Sequence, residues 1–163
     1  DFAAFCLHLP YPKLALKGLN KIIPKDLNPE NKERLTNNFD ASITYSRQIG
    51  NIYTGSLYLG LLSLLEQSQD LKAGDKIGFF SYGSGAVSEI FSGRLVEGYK
   101  DLLRSDRLDI FAKRQHLSVS DYEKLFYEEA QLDDTGSTQF ADYQTGAFRL
   151  AEISEHQRIY KGN

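Results

Sequence analysis

The sequence contains no methionine, no tryptophan and a single cysteine among its 163 residues. One cysteine excludes an internal disulfide and is typical of a reducing compartment. Because methionine is absent and a strand-like apolar run begins at Phe2, we predict that the chain is the downstream part of a longer polypeptide. No apolar run approaches the roughly 20 residues that a membrane-spanning helix needs, so no membrane partner is predicted.

Strong charge of either sign is also missing. The net charge is −3, without a basic stripe, which disfavours a nucleic-acid partner. His8, His116 and His156 lack the spacing of metal ligands, so no metal site is predicted. The chain is long enough to bury a hydrophobic core, and we predict a single domain over residues 1–163.

Strand and helix patterns alternate in the first half, which predicts an α/β fold with a mixed sheet flanked by helices. The short apolar run from Phe2 to Leu7 predicts a strand covered on both faces. Pro10 and Pro12 prevent a helix from starting before Tyr11. A helix over residues 13–22 follows, and its predicted inner residues are Leu14, Leu16, Leu19 and Ile22.

Two longer helices are predicted next. Asn28-Pro29-Glu30 is typical of a helix start, because it combines a capping side chain, a proline at the first helical position and an early acid. This helix carries apolar residues at i+4 spacing towards Arg47 and is broken by Gly50. The second helix, from Asn51 to Gln67, is apolar on most sides, so we predict that it is interior. Its small residues, which let a neighbour approach closely, are Gly55, Ser56, Gly60 and Ser63.

The remaining chain predicts strands joined by turns. Residues 76–82 predict a central strand, residues 83–85 a Gly-Ser-Gly connection, and residues 86–91 a further strand. Ser118 to Asp121 matches a capping box for a helix to about Glu129. Residues 147–160 predict a final strand or hairpin, with a turn at 154–156.

His8 is the first candidate for chemistry. It leaves the first predicted strand at its carboxyl end, where ligands gather in α/β sheets. A neutral imidazole in that place can donate a hydrogen bond to a carbonyl oxygen and stabilise developing negative charge. The commoner alternative is a core or turn histidine held by a hydrogen bond.

The other candidates also have structural alternatives. Asn51 can cap the helix that follows, or it can orient a thioester or enolate oxygen. The stretch from Ser81 to Gly85 can be a tight turn, or its backbone N–H groups can approach a ligand. Lys13 and Lys17 are either solvated or contact the phosphates of a nucleotide. Cys6 lies inside an apolar run, where burial raises a thiol pKa, so we interpret it as structural.

Four stretches in this order resemble the bacterial type of the 3-hydroxy-3-methylglutaryl-CoA (HMG-CoA) synthase family. They are His8-Leu9-Pro10-Tyr11 with Lys13, Tyr45-Ser46-Arg47, residues 50–58 and Ser81-Tyr82-Gly83-Ser84-Gly85. Separate motifs in order are hard to reach by chance, and the resemblance covers nearly the whole chain. It implies the C-terminal half of a thiolase-like fold, with family-specific additions between about Val96 and Thr145.

The resemblance also implies an activity. The family condenses acetyl-CoA with acetoacetyl-CoA and water to give HMG-CoA and CoA in the mevalonate pathway, as a cytoplasmic homodimer without a further cofactor. Its catalytic cysteine and glutamate lie in the first half and match nothing in this chain. The chain alone is therefore expected to be inactive.

Single residues of this chain match the family's site. His8 corresponds to the catalytic histidine that anchors and polarises acetoacetyl-CoA. The substrate-binding positions implied by the resemblance are Asn51, Ser84, Lys13, Gly83 and Tyr53. Two alternatives remain open: a polyketide β-branching synthase that uses carrier-protein substrates, and a non-catalytic acyl-CoA-binding or dimerisation module.

Overall fold

The structure, a computed structural model, describes residues 2–141 and 146–162. Its contacts group into two compact units, Asp1–Ser105 and Asp106–Asn163, which are described separately. The single domain expected over residues 1–163 stays a prediction. The last residues of the expected addition between Val96 and Thr145, from position 142 onward, lie outside the described residues.

The first unit is built around a mixed three-stranded sheet. Its elements in chain order are β1 (Ala4–Leu7), α1 (Pro12–Ile22), α2 (Pro29–Ile49), α3 (Gly55–Gln67), β2 (Lys76–Gly83), β3 (Val87–Arg94) and a 3₁₀-helix (Tyr99–Leu102). The central strand β2 runs parallel to β1 and antiparallel to β3. The predicted α/β class, the mixed sheet and the central position of β2 are confirmed.

Both faces of β1 are covered, because successive side chains of a strand point to opposite faces. One core cluster includes Ala4 and Cys6 of β1, Ile77 of β2, and Leu57 and Leu64 of α3. The other includes Leu7 of β1, Ala15 and Leu19 of α1, and Phe39 and Ile43 of α2. The sheet is therefore flanked by helices, as predicted.

The predicted inner face of α1 is largely wrong. Leu19 is buried, but Leu14, Leu16 and Ile22 are 44%, 39% and 44% exposed. The helix instead buries Ala15 and Leu19, and a Cβ on Gly18 would lie 3.6 Å from Leu7 Cδ1. Small residues at positions 15 and 18 let the helix lie close to the sheet, so the face that contains them is the buried one.

The long helix α2 begins as predicted. Asn28 Oδ1 accepts a hydrogen bond from the backbone N–H of Asn31 at 2.8 Å, and Pro29 occupies the first turn. The helix ends at Gly50, which has φ 84° and donates its N–H to Ser46 O at 2.8 Å. The predicted i+4 face is confirmed, since Leu35, Phe39 and Ile43 are all buried.

Helices α2 and α3 pack closely through small residues. A Cβ on Gly60 would lie 3.6 Å from the carbonyl oxygen of Ser42. Ser63 Oγ accepts a hydrogen bond from Tyr45 N–H at 3.2 Å and donates one to Ala41 O at 2.6 Å. The predicted close approach along this face is confirmed.

The second unit contains two short helices and an antiparallel sheet. Its elements are α4 (Arg107–Ala112), α5 (Val119–Tyr127), β4 (Thr138–Gln139), β5 (Phe148–Ser154) and β6 (Gln157–Gly162). Ser118 caps α5 by accepting from Asp121 N–H at 3.1 Å, as the capping box predicts. The predicted final hairpin is confirmed, with Glu155 and His156 in the left-handed region at its turn. Among the described residues, no helix has the length and apolarity to cross a bilayer.

Candidate active site

His8 lies directly after β1, at the edge of the sheet where the parallel strands β1 and β2 both end. Its N–H donates to Phe80 O at 2.8 Å, which extends the ladder with β2. The next N–H, of Leu9, donates to Ser56 Oγ of α3 at 3.2 Å. The backbone around the imidazole is therefore held on one side by the sheet and on the other by a helix.

The hydrogen bonding of the imidazole is incomplete at one ring nitrogen. Its Nδ1 is buried and has no hydrogen-bond partner within residues 2–141 and 146–162. The ring lies edge-on to Tyr82, with centroids 6.1 Å apart. The alternative of a core histidine held by a hydrogen bond at Nδ1 is therefore wrong. Leaving a buried polar atom without a partner costs about 1–3 kcal/mol of stability. A ligand can reach the ring from the cavity that His8 helps to line.

A cavity of about 390 Å³ adjoins the imidazole. Its lining is mostly apolar and includes His8 and two lysines of α1. Besides His8, the lining includes Leu7, Leu14, Phe80, Tyr82, Lys17 and Lys21. The volume is in the range of small-molecule sites. Because nearly all of this lining is apolar, an apolar group matches it.

Asn51 does not cap a helix. Helix α3 begins at Gly55 rather than at Asn51, so the predicted start and the capping alternative are both wrong. Asn51 Oδ1 instead accepts from the N–H of Tyr53 at 2.8 Å and stabilises a turn in which Tyr53 has φ 54°. The oxygen of Asn51 is thus bound within the turn. The amide nitrogen, which is the donor of this side chain, is exposed with the residue and can donate to a ligand.

The buried hydroxyl of Ser56 connects this turn to the histidine segment. While it accepts from Leu9 N–H, it donates to the carbonyl oxygen of Tyr53 at 2.6 Å. From the sequence, Ser56 was predicted only as a small packing residue of α3. Its position among the small residues of α3 was the one sequence feature that pointed to it, but the bond with Leu9 depends on a tertiary contact.

The Gly-Ser-Gly segment forms the tip of the β2–β3 hairpin. Gly83 pairs with Val87, so residues 84–86 are the loop, and Gly85 and Ala86 have φ 86° and 58°. The predicted connection between strands is confirmed. Ser84 is exposed at this tip, on the edge of the sheet where His8 lies.

The predicted site residues therefore differ in their position relative to the cavity. The imidazole of His8 borders the cavity, whereas none of the described residues Asn51, Tyr53, Gly83, Ser84 and Lys13 lines it. The Asn51 turn is tied to the His8 segment through Ser56, and Gly83 follows Tyr82, which contacts His8. Lys13 is exposed on α1, while Lys21, which the sequence analysis did not single out, borders the cavity. Lys21 lies one helical turn after Lys17, and this spacing was the signal available for it.

Cys6 is not a nucleophile in this arrangement. It is fully buried, and burial raises the pKa of its thiol to about 12. A thiol with such a pKa is almost entirely protonated near neutral pH, so the structural interpretation is confirmed. Among the described residues, no group of three or more histidine, cysteine or acidic side chains could hold a metal ion.

Comparisons with known proteins identify the family. The family model for the hydroxymethylglutaryl-coenzyme A synthase C terminal matches residues 20–161. A hydroxymethylglutaryl-CoA synthase from Enterococcus faecalis is 46% identical over 134 residues, which are 82% of this chain and 35% of the relative. The chain thus spans about a third of that relative's length.

Solved structures agree with this match. A crystal structure of HMG-CoA synthase complexed with CoA is 65% identical, with a TM-score of 0.88 over all of this chain and 42% of the other. The HMG synthase of the curacin biosynthetic pathway, in complex with apo donor-ACP, is 26% identical, with a TM-score of 0.74 over 99% of this chain and 44% of the other. The chain therefore belongs to the hydroxymethylglutaryl-CoA synthase family, whose C-terminal, thiolase-like region it matches.

Proposed function

We propose that this chain is the half of an HMG-CoA synthase that binds the acceptor substrate, acetoacetyl-CoA. The complete enzyme condenses acetyl-CoA with acetoacetyl-CoA and water to give HMG-CoA and CoA. The observation that carries the proposal is the His8 imidazole, whose Nδ1 is buried without a partner beside a cavity flanked by two lysines. The CoA complex of a relative 65% identical supports a CoA thioester as the substrate.

The proposed reaction has three steps. An acetyl group passes from acetyl-CoA to an enzyme thiol, and CoA leaves. A carboxylate then removes a methyl proton from the bound acetyl group, the resulting carbanion adds to the ketone carbon of acetoacetyl-CoA, and the carboxylic acid returns the proton to the alkoxide. Water finally hydrolyses the enzyme thioester, which releases HMG-CoA and restores the thiol. The thiol and the carboxylate come from the family's first half, so the chain alone is inactive.

In this scheme His8 acts on the acceptor. Its imidazole donates to the ketone oxygen of acetoacetyl-CoA, which becomes an alkoxide when the carbanion adds. A preorganised donor at that oxygen stabilises the transition state more than the ground state. The backbone bonds to Phe80 and Ser56 hold the donor in place before the substrate arrives.

The other residues bind the substrate. The Asn51 amide donates to the thioester oxygen, Tyr53 orients the same turn, and the hairpin tip with Gly83 and Ser84 approaches the acyl chain. Lys13 contributes positive charge for the CoA phosphates, as the lysines that border the cavity do. The proposed enzyme is a cytoplasmic homodimer of the mevalonate pathway and uses no cofactor besides its CoA substrates.

The His8→Ala variant of the full-length protein tests the proposal. We expect condensation to slow by about 10²–10³, as when one such donor is removed, while acetylation of the enzyme by acetyl-CoA stays at the wild-type rate. The two half-reactions are measured separately, with labelled acetyl-CoA for the first and loss of acetoacetyl-CoA for the second. His116→Ala changes an exposed histidine and is the control. Equal losses in both half-reactions would contradict the role of His8.

A second candidate is a synthase of polyketide β-branching. The observation that favours it is the match to the curacin HMG synthase, which was crystallised with a donor-ACP. The ratio of kcat/KM for free acetoacetyl-CoA to kcat/KM for an acetoacetyl carrier protein separates the two enzymes. A full-length protein that binds acyl-CoA but performs neither half-reaction would instead be a non-catalytic module.

A further inference from the structure

Two buried serines of α3 make the same pair of hydrogen bonds in different places. Ser56 and Ser63 are both 0% exposed. Each accepts from a backbone N–H at 3.2 Å and donates to a backbone carbonyl at 2.6 Å. The Ser63 hydroxyl bonds to α2, through Tyr45 and Ala41. Ser56 bonds to two loop segments, which carry His8 and Asn51.

The Ser56 bridge is well placed to control the position of the imidazole. Leu9, its donor, is 3% exposed, and its Cδ1 would lie 3.7 Å from a Cβ on Gly60. The residue after His8 is thus fixed to α3 by its N–H and by its side chain. The bond from Leu9 N–H to Ser56 ties this segment to the helix, whereas His8 N–H is directed to β2.

The second half of the bridge acts on the Asn51 turn. Tyr53 has the left-handed φ of 54°, which is unfavourable for a residue with a side chain. Its carbonyl oxygen accepts both the N–H of Ser56 at 3.0 Å and the hydroxyl at 2.6 Å, and its N–H is bound by Asn51 Oδ1. The hydroxyl therefore couples the position of the Asn51 turn to the position of the His8 segment.

The geometry points to Ser56 as a positioning residue of the acceptor site, which sets the distance between the His8 imidazole and the Asn51 amide. The residue has no exposed surface, so it acts through the two loops and does not touch substrate. This inference rests on the proposed function, in which both groups bind one acetoacetyl thioester. Misplacing a catalytic group by about 1 Å can cost roughly 10²-fold in rate, and a loosened bridge permits such a shift.

Ser56→Ala and Ser63→Ala in the full-length protein form a matched pair. Both remove one buried hydroxyl with the same two bonds, so both lower thermal stability to a similar extent. We expect Ser56→Ala to reduce kcat for condensation by roughly 10–100-fold and to leave enzyme acetylation within about twofold of wild type. Ser63→Ala should retain the wild-type rate of condensation. Ser56→Cys, which nearly keeps the volume and forms weaker hydrogen bonds, should fall between Ser56→Ala and wild type.

A second readout does not depend on activity. With ¹⁵N-labelled histidine, the His8 imidazole signals should shift or broaden in Ser56→Ala and in Ser56→Cys, and remain at their wild-type positions in Ser63→Ala. Equal condensation rates in the matched pair, or unchanged His8 signals in the Ser56 variants, would overturn the inference and leave the proposed function standing. A wild-type protein that performs neither half-reaction would overturn the proposed function, and the imidazole signals would still decide whether Ser56 positions His8.

Discussion

Gly78 of the central strand β2 lies under the aromatic ring of Phe5, and substituting this glycine tests the packing of the sheet directly. It pairs in register with Phe5 of β1. A Cβ at position 78 would lie 2.5 Å from Phe5 Cδ1 and from Phe5 Cε1, and 3.3 Å from Phe2 Cδ1. Carbon atoms in contact are normally about 3.5–4.0 Å apart. The Gly78→Ala variant therefore requires the Phe5 ring to withdraw by about 1 Å.

The expected effect is a moderate loss of stability. Overpacking of this kind costs about 1–3 kcal/mol, and replacing glycine by alanine recovers about 0.4–1 kcal/mol by restricting the unfolded chain. The net expectation is a decrease of about 1–2 kcal/mol in the free energy of unfolding. Movement of Phe5 is resisted because its ring packs on Phe2, with centroids 4.8 Å apart.

Urea-induced unfolding of the full-length protein measures this change. Gly93→Ala in β3 is the matched control, because its Cβ would meet Phe79 Cε2 at 3.7 Å, an ordinary contact. We expect Gly93→Ala to be neutral or slightly stabilising. Phe5→Leu should remove part of the penalty of Gly78→Ala in a double-mutant cycle. The packing argument fails if Gly78→Ala is as stable as Gly93→Ala.

Two further predictions concern ionisable groups. The thiol of Cys6 has a pKa of about 12 against an ordinary 9.0, so site-resolved alkylation near pH 8 should be slow in the native protein and fast in denaturant. Because the folded-state pKa is raised, this group's contribution to stability is complete below pH 9.0 and is lost as the pH rises towards 12; rapid native labelling would contradict the burial. Burial raises the pKa of Asp70, but hydrogen bonds from Arg34 and Ser68 outweigh it, so the pKa lies below the ordinary 3.8. Its contribution is therefore present above pH 3.8 and is lost as the pH falls through the lowered pKa. Because the pair is partly exposed, Asp70→Asn should lower the unfolding free energy by no more than about 1 kcal/mol at neutral pH and progressively less in acid.

Local chemistry made several features of the fold predictable. The start of α2 depends on the Asn28 side chain and on Pro29, which act within one helical turn. The β2–β3 hairpin similarly depends on the glycines around its turn. The position of His8 at a strand end also follows from the adjacent apolar run and Pro10.

The errors have two causes: at α1 a partner far along the chain decides the outcome, and at Asn51 a local turn competes with a helix cap. Leu14 and Leu16 fit an inner face of α1, yet Ala15 and Gly18 face the sheet, because only small residues allow that close approach. Asn51 fits a helix cap, yet its side chain stabilises a turn before α3. The bridge through Ser56 was missed because its bond with Leu9 joins segments that no periodicity connects.

The sequence alone determined the order of the longer helices and strands, the burial of β1 on both faces and the residue types available at the site, because these follow from neighbouring residues and apolar periodicity. Only the tertiary structure decided which groups meet. The unpartnered Nδ1 of His8 beside the cavity and the hydroxyl that joins Leu9 to Tyr53 both depend on contacts between segments more than 40 residues apart. Packing geometry in three dimensions sets such contacts, and a one-dimensional pattern does not encode them locally.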